Sequence, residues 1–139
     1  MFISHSSADA WTAKQLEKEI EGCGAETFLS EMDVEGGDDI GEEMRIAMEH
    51  ADECLVLYTP EAAQSKNVWI EIGGLWSRRK RVVVLLNRLS AKDVTSDPNF
   101  PSYLKSLDFL ELNADTDERY FPQLKTRIET HQKQEGKRE

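Results

Sequence analysis

Residues 54–86 read CLVLYTPEAAQSKNVWIEIGGLWSRRKRVVVLL. Its two ends, CLVLY at 54–58 and RVVVLL at 81–86, are continuously apolar rather than alternating, as strands covered on both faces of a parallel sheet require. Between them a helical pattern runs from about Ser65 to Ser77, with Ser65 and Asn67 at its start. Strand, helix and parallel strand make one right-handed crossover unit. The same rhythm continues outward. Short apolar runs at 2–3 (FI), 25–29 (AETFL) and 108–112 (DFLEL) supply three more strands. Ala13, Leu16, Ile20 and Cys23 repeat at helical spacing, with Gly22 and Gly24 as stops. Ile40, Met44, Ala47 and Met48 mark a second helix, and Phe121, Leu124 and Ile128 a last one, with Pro122 near its first turn. Five strands alternating with helices predict an α/β domain with a parallel sheet. Arg88–Ser106, with Pro98 and Pro101, is the longest connection and reads as a functional loop or an irregular helix.

A chain of 139 residues suits one domain, here 1–131, with 132–139 reading as a flexible tail. Seventeen Lys and Arg against 27 Asp and Glu leave a net charge of −10, which repels nucleic-acid backbones and anionic membranes. The run RRKR at 78–81 reads as cations complementing a helix end. Cys23 and Cys54 are too few for a disulfide scaffold, and no segment approaches a membrane span, so a cytoplasmic location is expected. No metal-ligand spacing appears, nor GxSxG, GxGxxG or a P-loop. His50 and His131 read as surface residues.

In open parallel sheets a ligand site lies beyond the carboxyl ends of the strands, where strand order reverses. The loop after the first strand carries His5 among Ser4, Ser6 and Ser7, at a helix start that favours an anion. Plain capping by Ser6 or Ser7 accounts for the same residues without a ligand. In the second loop Gly36, Gly37 and Gly41 mark a turn, and Asp38 or Asp39 most simply caps the following helix. Glu71 is the most conspicuous ionisable residue. Its neighbours Val68, Trp69, Ile70, Ile72, Leu75 and Trp76 are apolar enough to pack on both sides, where an unpaired carboxylate is costly. Such a carboxylate could bind a ribose diol and stabilise charge developing at the anomeric carbon. A solvated glutamate favoured by the helix dipole is the competing reading.

Four stretches together resemble the Toll/interleukin receptor (TIR) domain of bacterial proteins. FISHSSAD (2–9) is similar to the family's first box, FLSEMDVEGGDDIGEEMRIAME (28–49) to its second box with the BB loop, CLVLYTPEAAQS (54–65) to its third strand and turn, and SKNVWIEIGGLWSRRKRVVVLL (65–86) to the helix carrying the family glutamate. The resemblance spans essentially the whole chain. It implies a flavodoxin-like fold with a five-stranded parallel sheet in the order 2-1-3-4-5. It further implies one of two roles: a scaffold for signalling assemblies, or an enzyme that cleaves NAD+, as substrate rather than cofactor, at the nicotinamide–ribose bond. The enzymes of the family share S-x-W-x-x-x-E. Ser65 and Glu71 keep that interval, making Glu71 the implied catalytic residue, whereas Asn67 stands at the tryptophan's place and Trp69 two residues later. The cleft implied for NAD+ is lined by His5, Ser6, Ser7, Asp33, Gly36, Gly37 and Ser65, with Trp69 or Trp76 nearby. Its first loop lacks the basic residues of some relatives, which leaves phosphate to backbone amides, hydroxyls or a neighbouring protomer. The resemblance also implies self-association through the BB loop (30–39), a TIR-containing or sensor partner, and a linear or cyclic ADP-ribose product in prokaryotic immunity. The stretch EIGGLW (71–76) is loosely similar to the nucleoside 2-deoxyribosyltransferases, a third possibility.

Overall fold

Each long strand divides its side chains by parity between two cores. The computed structural model describes residues 1–30, 38–112 and 119–138. Its strands are β1 (Phe2–Ser4), β2 (Phe28–Leu29), β3 (Glu53–Tyr58), β4 (Arg81–Leu86) and β5 (Asp108–Glu111). They form one parallel sheet in the order β2-β1-β3-β4-β5. The principal helices are α1 (Ala10–Gly22), α2 (Asp38–His50), α3 (Lys66–Ser77), the short α4 (Ala91–Thr95) and α5 (Phe121–Arg138). The flavodoxin-like order expected from the sequence is thus the observed one.

Phe2, Cys54, Val56, Tyr58, Val82, Val84 and Leu86 face one side, against Met48 of α2 and Val68, Ile72 and Leu75 of α3. Ile3, Leu55, Leu57, Val83 and Leu85 face the other, against Ala13, Leu16 and Ile20 of α1 and Phe121 and Leu124 of α5. Burial on both faces explains why β3 and β4 read as unbroken apolar runs. Each such side chain contributes roughly 1.5–3 kcal/mol, so Leu55→Ala would cost about 2–5 kcal/mol. Burial pushes the Cys54 thiol up to about 12, leaving it an unreactive member of the core.

Helix ends set the phase of each packed face. After α1 the N–H of Gly24 donates to Glu21 and that of Ala25 to Ile20, with Gly24 at φ 99°. This is a Schellman stop, in which a left-handed residue suits glycine. At the end of α3 the same pair of bonds recurs, Arg79 to Trp76 and Lys80 to Leu75, with Arg79 at φ 58°.

Several boundaries differ from the sequence reading. β2 is two residues long instead of five, because only Phe28 and Leu29 pair with β1. The connection after β4 is organised: Ser90 and Asp93 form a capping box for α4, and Val94, Phe100 and Leu104 are buried against the first core. α5 continues to Arg138 through the segment read as a tail. Among the described residues no helix is long and apolar enough to cross a membrane.

Candidate active site

Glu71 occupies the second turn of α3, on the buried stripe it shares with Val68, Ile72 and Leu75. The phase of that stripe is fixed at the helix start, where the Ser65 hydroxyl accepts the N–H of Val68 at 3.3 Å. Trp69, about 200° around the helix from Glu71, donates its indole N–H to the Ala63 carbonyl at 2.9 Å and packs edge-on against Tyr58 and Phe100. Anchored this way, α3 sets the carboxyl group of Glu71 by the carboxyl ends of β1 and β2, beside the reversal of strand order between β1 and β3.

Glu71 is 1% exposed. Burial pushes its pKa up to about 7, and the hydroxyls of Ser4 and Ser30 pull it part of the way back. No charged group acts on it among the described residues. Among the described residues, neither carboxylate oxygen nor either serine hydroxyl completes a hydrogen bond. The adjacent His5 is also buried, its Nδ1 without a partner among the described residues. Desolvation lowers its pKa, opposed in part by Asp9, so the ring is neutral at pH 7. A group of buried polar atoms without partners is rare in a folded protein, and it marks the place where a polar ligand would be satisfied.

A second buried carboxylate lies close by in sequence. Asp9 closes a short 3-10 turn, Ser7–Asp9, and its Oδ2 accepts the hydroxyls of Ser6 at 2.6 Å and Thr59 at 2.5 Å. Arg88, from the loop after β4, reaches its Oδ1 at 3.4 Å and pairs with Glu61. One carboxylate therefore ties together the loops that follow β1, β3 and β4. Arg88 holds φ 65°, a left-handed conformation that costs a non-glycine residue about 1 kcal/mol.

The structure thus gathers some of the expected site residues and disperses others. His5 and Glu71 lie at the strand ends, and Ser6 is beside them but committed to Asp9, making no cap bond of its own. Ser7 is exposed, and Ser65 is a helix cap. Trp69 and Trp76, one heptad apart, face the β4–β5 connection: Trp69 meets Phe100 with ring centroids 5.5 Å apart, and Trp76 meets Tyr103 at 4.9 Å. Ile70 and Trp76 are 67% and 46% exposed, so the flanks of Glu71 are buried on one side of α3 and open on the other. Asp33, Gly36, Gly37 and most of the loop at 30–39 lie outside the described residues. Ser4, Ser30, Asp9 and Arg88 were not singled out from the sequence as site residues. For the two serines a signal existed, since Phe2-x-Ser4 and Phe28-x-Ser30 keep one parity. Among the described residues no group of three or more His, Cys, Asp or Glu side chains is placed to hold a metal.

A family model described as "TIR domain" matches residues 1–125. The chain belongs to the TIR domain family. Among solved structures, this TIR domain is similar to that of the Toll-related receptor TRR-2 from the lower metazoan Hydra magnipapillata, with a TM-score of 0.69 and 18% identity over 92% of this chain and 96% of that one. It is also similar to the Clostridium botulinum CMP N-glycosidase BcmB, with a TM-score of 0.52 and 15% identity over 89% of this chain and 98% of the other. At such identities both likenesses concern the fold. A comparison with curated proteins found no match.

Proposed function

We propose that this TIR domain cleaves the N-glycosidic bond between nicotinamide and ribose in NAD+, with Glu71 as the catalytic residue. The observation that carries this reading is a carboxylate 1% exposed and without a hydrogen-bond partner among the described residues, at the carboxyl ends of β1 and β2. Keeping it there costs stability, and residues that do so concentrate at functional sites. In the ionised form Glu71 would accept hydrogen bonds from the ribose hydroxyls and stabilise positive charge spreading from the anomeric carbon to the ring oxygen. The C–N bond breaks with its electron pair going to the pyridinium nitrogen, so nicotinamide departs neutral. Water, or a nitrogen of the adenine in the same molecule, then bonds to the anomeric carbon. Water loses a proton in the process. ADP-ribose or a cyclic isomer results.

A pKa near 7 means that the free protein loses the reactive ionised form as pH falls below neutrality. The rate at low NAD+ concentration should accordingly fall about tenfold per pH unit on the acid side. His5, Ser6, Ser7 and the loop at 30–39 would line the rest of the cleft, and self-association through that loop would complete it. The setting we propose is cytoplasmic immune signalling in a prokaryote, with a TIR-containing or sensor protein bringing copies together.

A second reading draws on the similar fold of a CMP N-glycosidase, whose name specifies the same bond type in a nucleoside monophosphate. The same carboxylate would serve either substrate, and base exchange on a deoxynucleoside is a related outcome. A scaffold without activity is the third reading.

The deciding experiment measures nicotinamide release from NAD+ by concentrated protein, free and clustered on beads, beside Glu71→Ala. The expected result is release by the parent, reduced on the order of 10²–10³-fold in the variant, with assembly intact in both. Release of cytosine from CMP without attack on NAD+ would transfer the role to the second reading. No base released by visibly assembled protein would leave the scaffold.

A further inference from the structure

The ladder between β1 and β2 sets two hydroxyls beside Glu71. Phe2 pairs with Phe28 and Ile3 with Leu29, and the Phe2 and Phe28 rings stack at 5.5 Å. The Ser30 N–H donates to the Ile3 carbonyl at 3.0 Å, which carries the ladder one step further. Ser4 and Ser30 therefore repeat, two residues on, the side of the sheet taken by Phe2 and Phe28, the side covered by α3. Apolar side chains there would simply extend the core. Instead both strands turn polar at the same level, where Glu71 also lies.

Ser4 is fully buried and Ser30 is 1% exposed, and neither hydroxyl has a hydrogen-bond partner among the described residues. A serine serving as a cap or a turn would bond a backbone group, and these two do not. A hydroxyl turns freely about its C–O bond and either donates or accepts. Beside a protonated Glu71 it accepts the carboxyl proton's hydrogen bond, and beside an ionised one it donates. Two donors on one carboxylate favour the ionised form, opposing its burial. No other described group competes for this task. α3 brings no charge to bear on Glu71, and neither do β1, β2 or β3. His5, next to Ser4, has Asp9 as its only charged partner among the described residues.

We propose that Ser4 and Ser30 are the positioning residues of Glu71, donating from adjacent strands to orient its carboxylate and favour its ionised form. The catalytic consequence rests on the reading of Glu71 given above, whereas the proton equilibrium does not. The test is a carbon-13 NMR titration of the Glu71 carboxyl, its resonance assigned by Glu71→Gln, in the parent, Ser4→Ala, Ser30→Ala and the double variant. Each alanine should raise the midpoint by about one pH unit and the pair by about two. Ser30→Thr keeps the hydroxyl and should titrate like the parent. Thermal melts of the same samples verify that each variant is native.

A double-variant midpoint equal to the parent's overturns the proposal, as does a Thr variant that moves with the Ala one. The acid limb of nicotinamide release should travel with the NMR midpoint. Midpoints that move in a protein releasing no base would sustain the serine assignment and sink the NAD+ reading. Release that requires Glu71 with midpoints unmoved would do the reverse.

Discussion

Asp9 and Glu71 are carboxylates buried at the same end of the same sheet, 6% and 1% exposed, and they differ in company. Asp9 accepts two hydroxyls and faces a guanidinium. Glu71 has two hydroxyls nearby, no charge partner and no completed hydrogen bond among the described residues. Glu53, at the opposite end of β3, sides with Asp9: Arg127 donates to both its oxygens at 3.0 and 2.7 Å, and Tyr120 adds a third bond. A carboxylate that holds loops or helices in place is surrounded by donors. Glu71, the carboxylate we propose for the reaction, is left short of them among the described residues, at a cost in stability.

Substitutions at the two sites should therefore act in opposite directions. The largest effect is expected for Asp9→Ala, which leaves the hydroxyls of Ser6 and Thr59 buried without an acceptor and detaches three loops. Urea denaturation at pH 7 should show a loss of about 3 kcal/mol. A loss no larger than that of an exposed residue would erase the distinction between the two carboxylates.

Glu71→Gln should stabilise the protein, and the gain should depend on pH. The carboxyl of Glu71 has its pKa raised to about 7, against an ordinary 4.5, so between those values the folded state binds more protons than the unfolded one. Stability then falls as pH rises through that window. Below it the variant should trail the parent by about 1 kcal/mol, the cost of burying the amide in place of the protonated carboxyl. At pH 8 the variant should be ahead by about 2 kcal/mol, the full linkage term of about 3 kcal/mol being offset by burial of the amide. A gain that is the same at pH 4 and pH 8 would show that the charge is not the source.

The smallest effect belongs to Arg88→Ala. Its side chain is 52% exposed, so its pairing with Asp9 and Glu61 is screened by water and salt. Relief of its left-handed backbone does not follow from alanine, which dislikes φ 65° as well. A minor loss of stability that shrinks further in 1 M salt would place the weight of the Asp9 cluster on its hydroxyls.

The strand order came from the family resemblance, whereas a parallel sheet covered on both faces was legible in the sequence because β3 and β4 are long and apolar. Glu71 was legible for the same reason, as a charge inside an apolar helix. Its company was not. Ser4 and Ser30 read as loop hydroxyls because β1 and β2 are too short to display alternation, and only pairing the two strands reveals that each serine follows a phenylalanine by two. Trp69 and Trp76 read as cleft aromatics, yet helix phase turns both toward Phe100 and Tyr103. The Asp9 cluster joins residues up to 79 positions apart, which no local pattern announces.

β2 pairs with β1 at only two positions before Ser30. It is also an edge strand, whereas β3 and β4 are paired over six residues inside the sheet. Amide exchange should divide the molecule accordingly: slow protection set by global unfolding in β3 and β4, and faster exchange through local opening at Phe28–Ser30. One flank of Glu71 would then rest on a separately opening unit. The seat of the carboxylate would come apart and re-form many times within the lifetime of a single folded core.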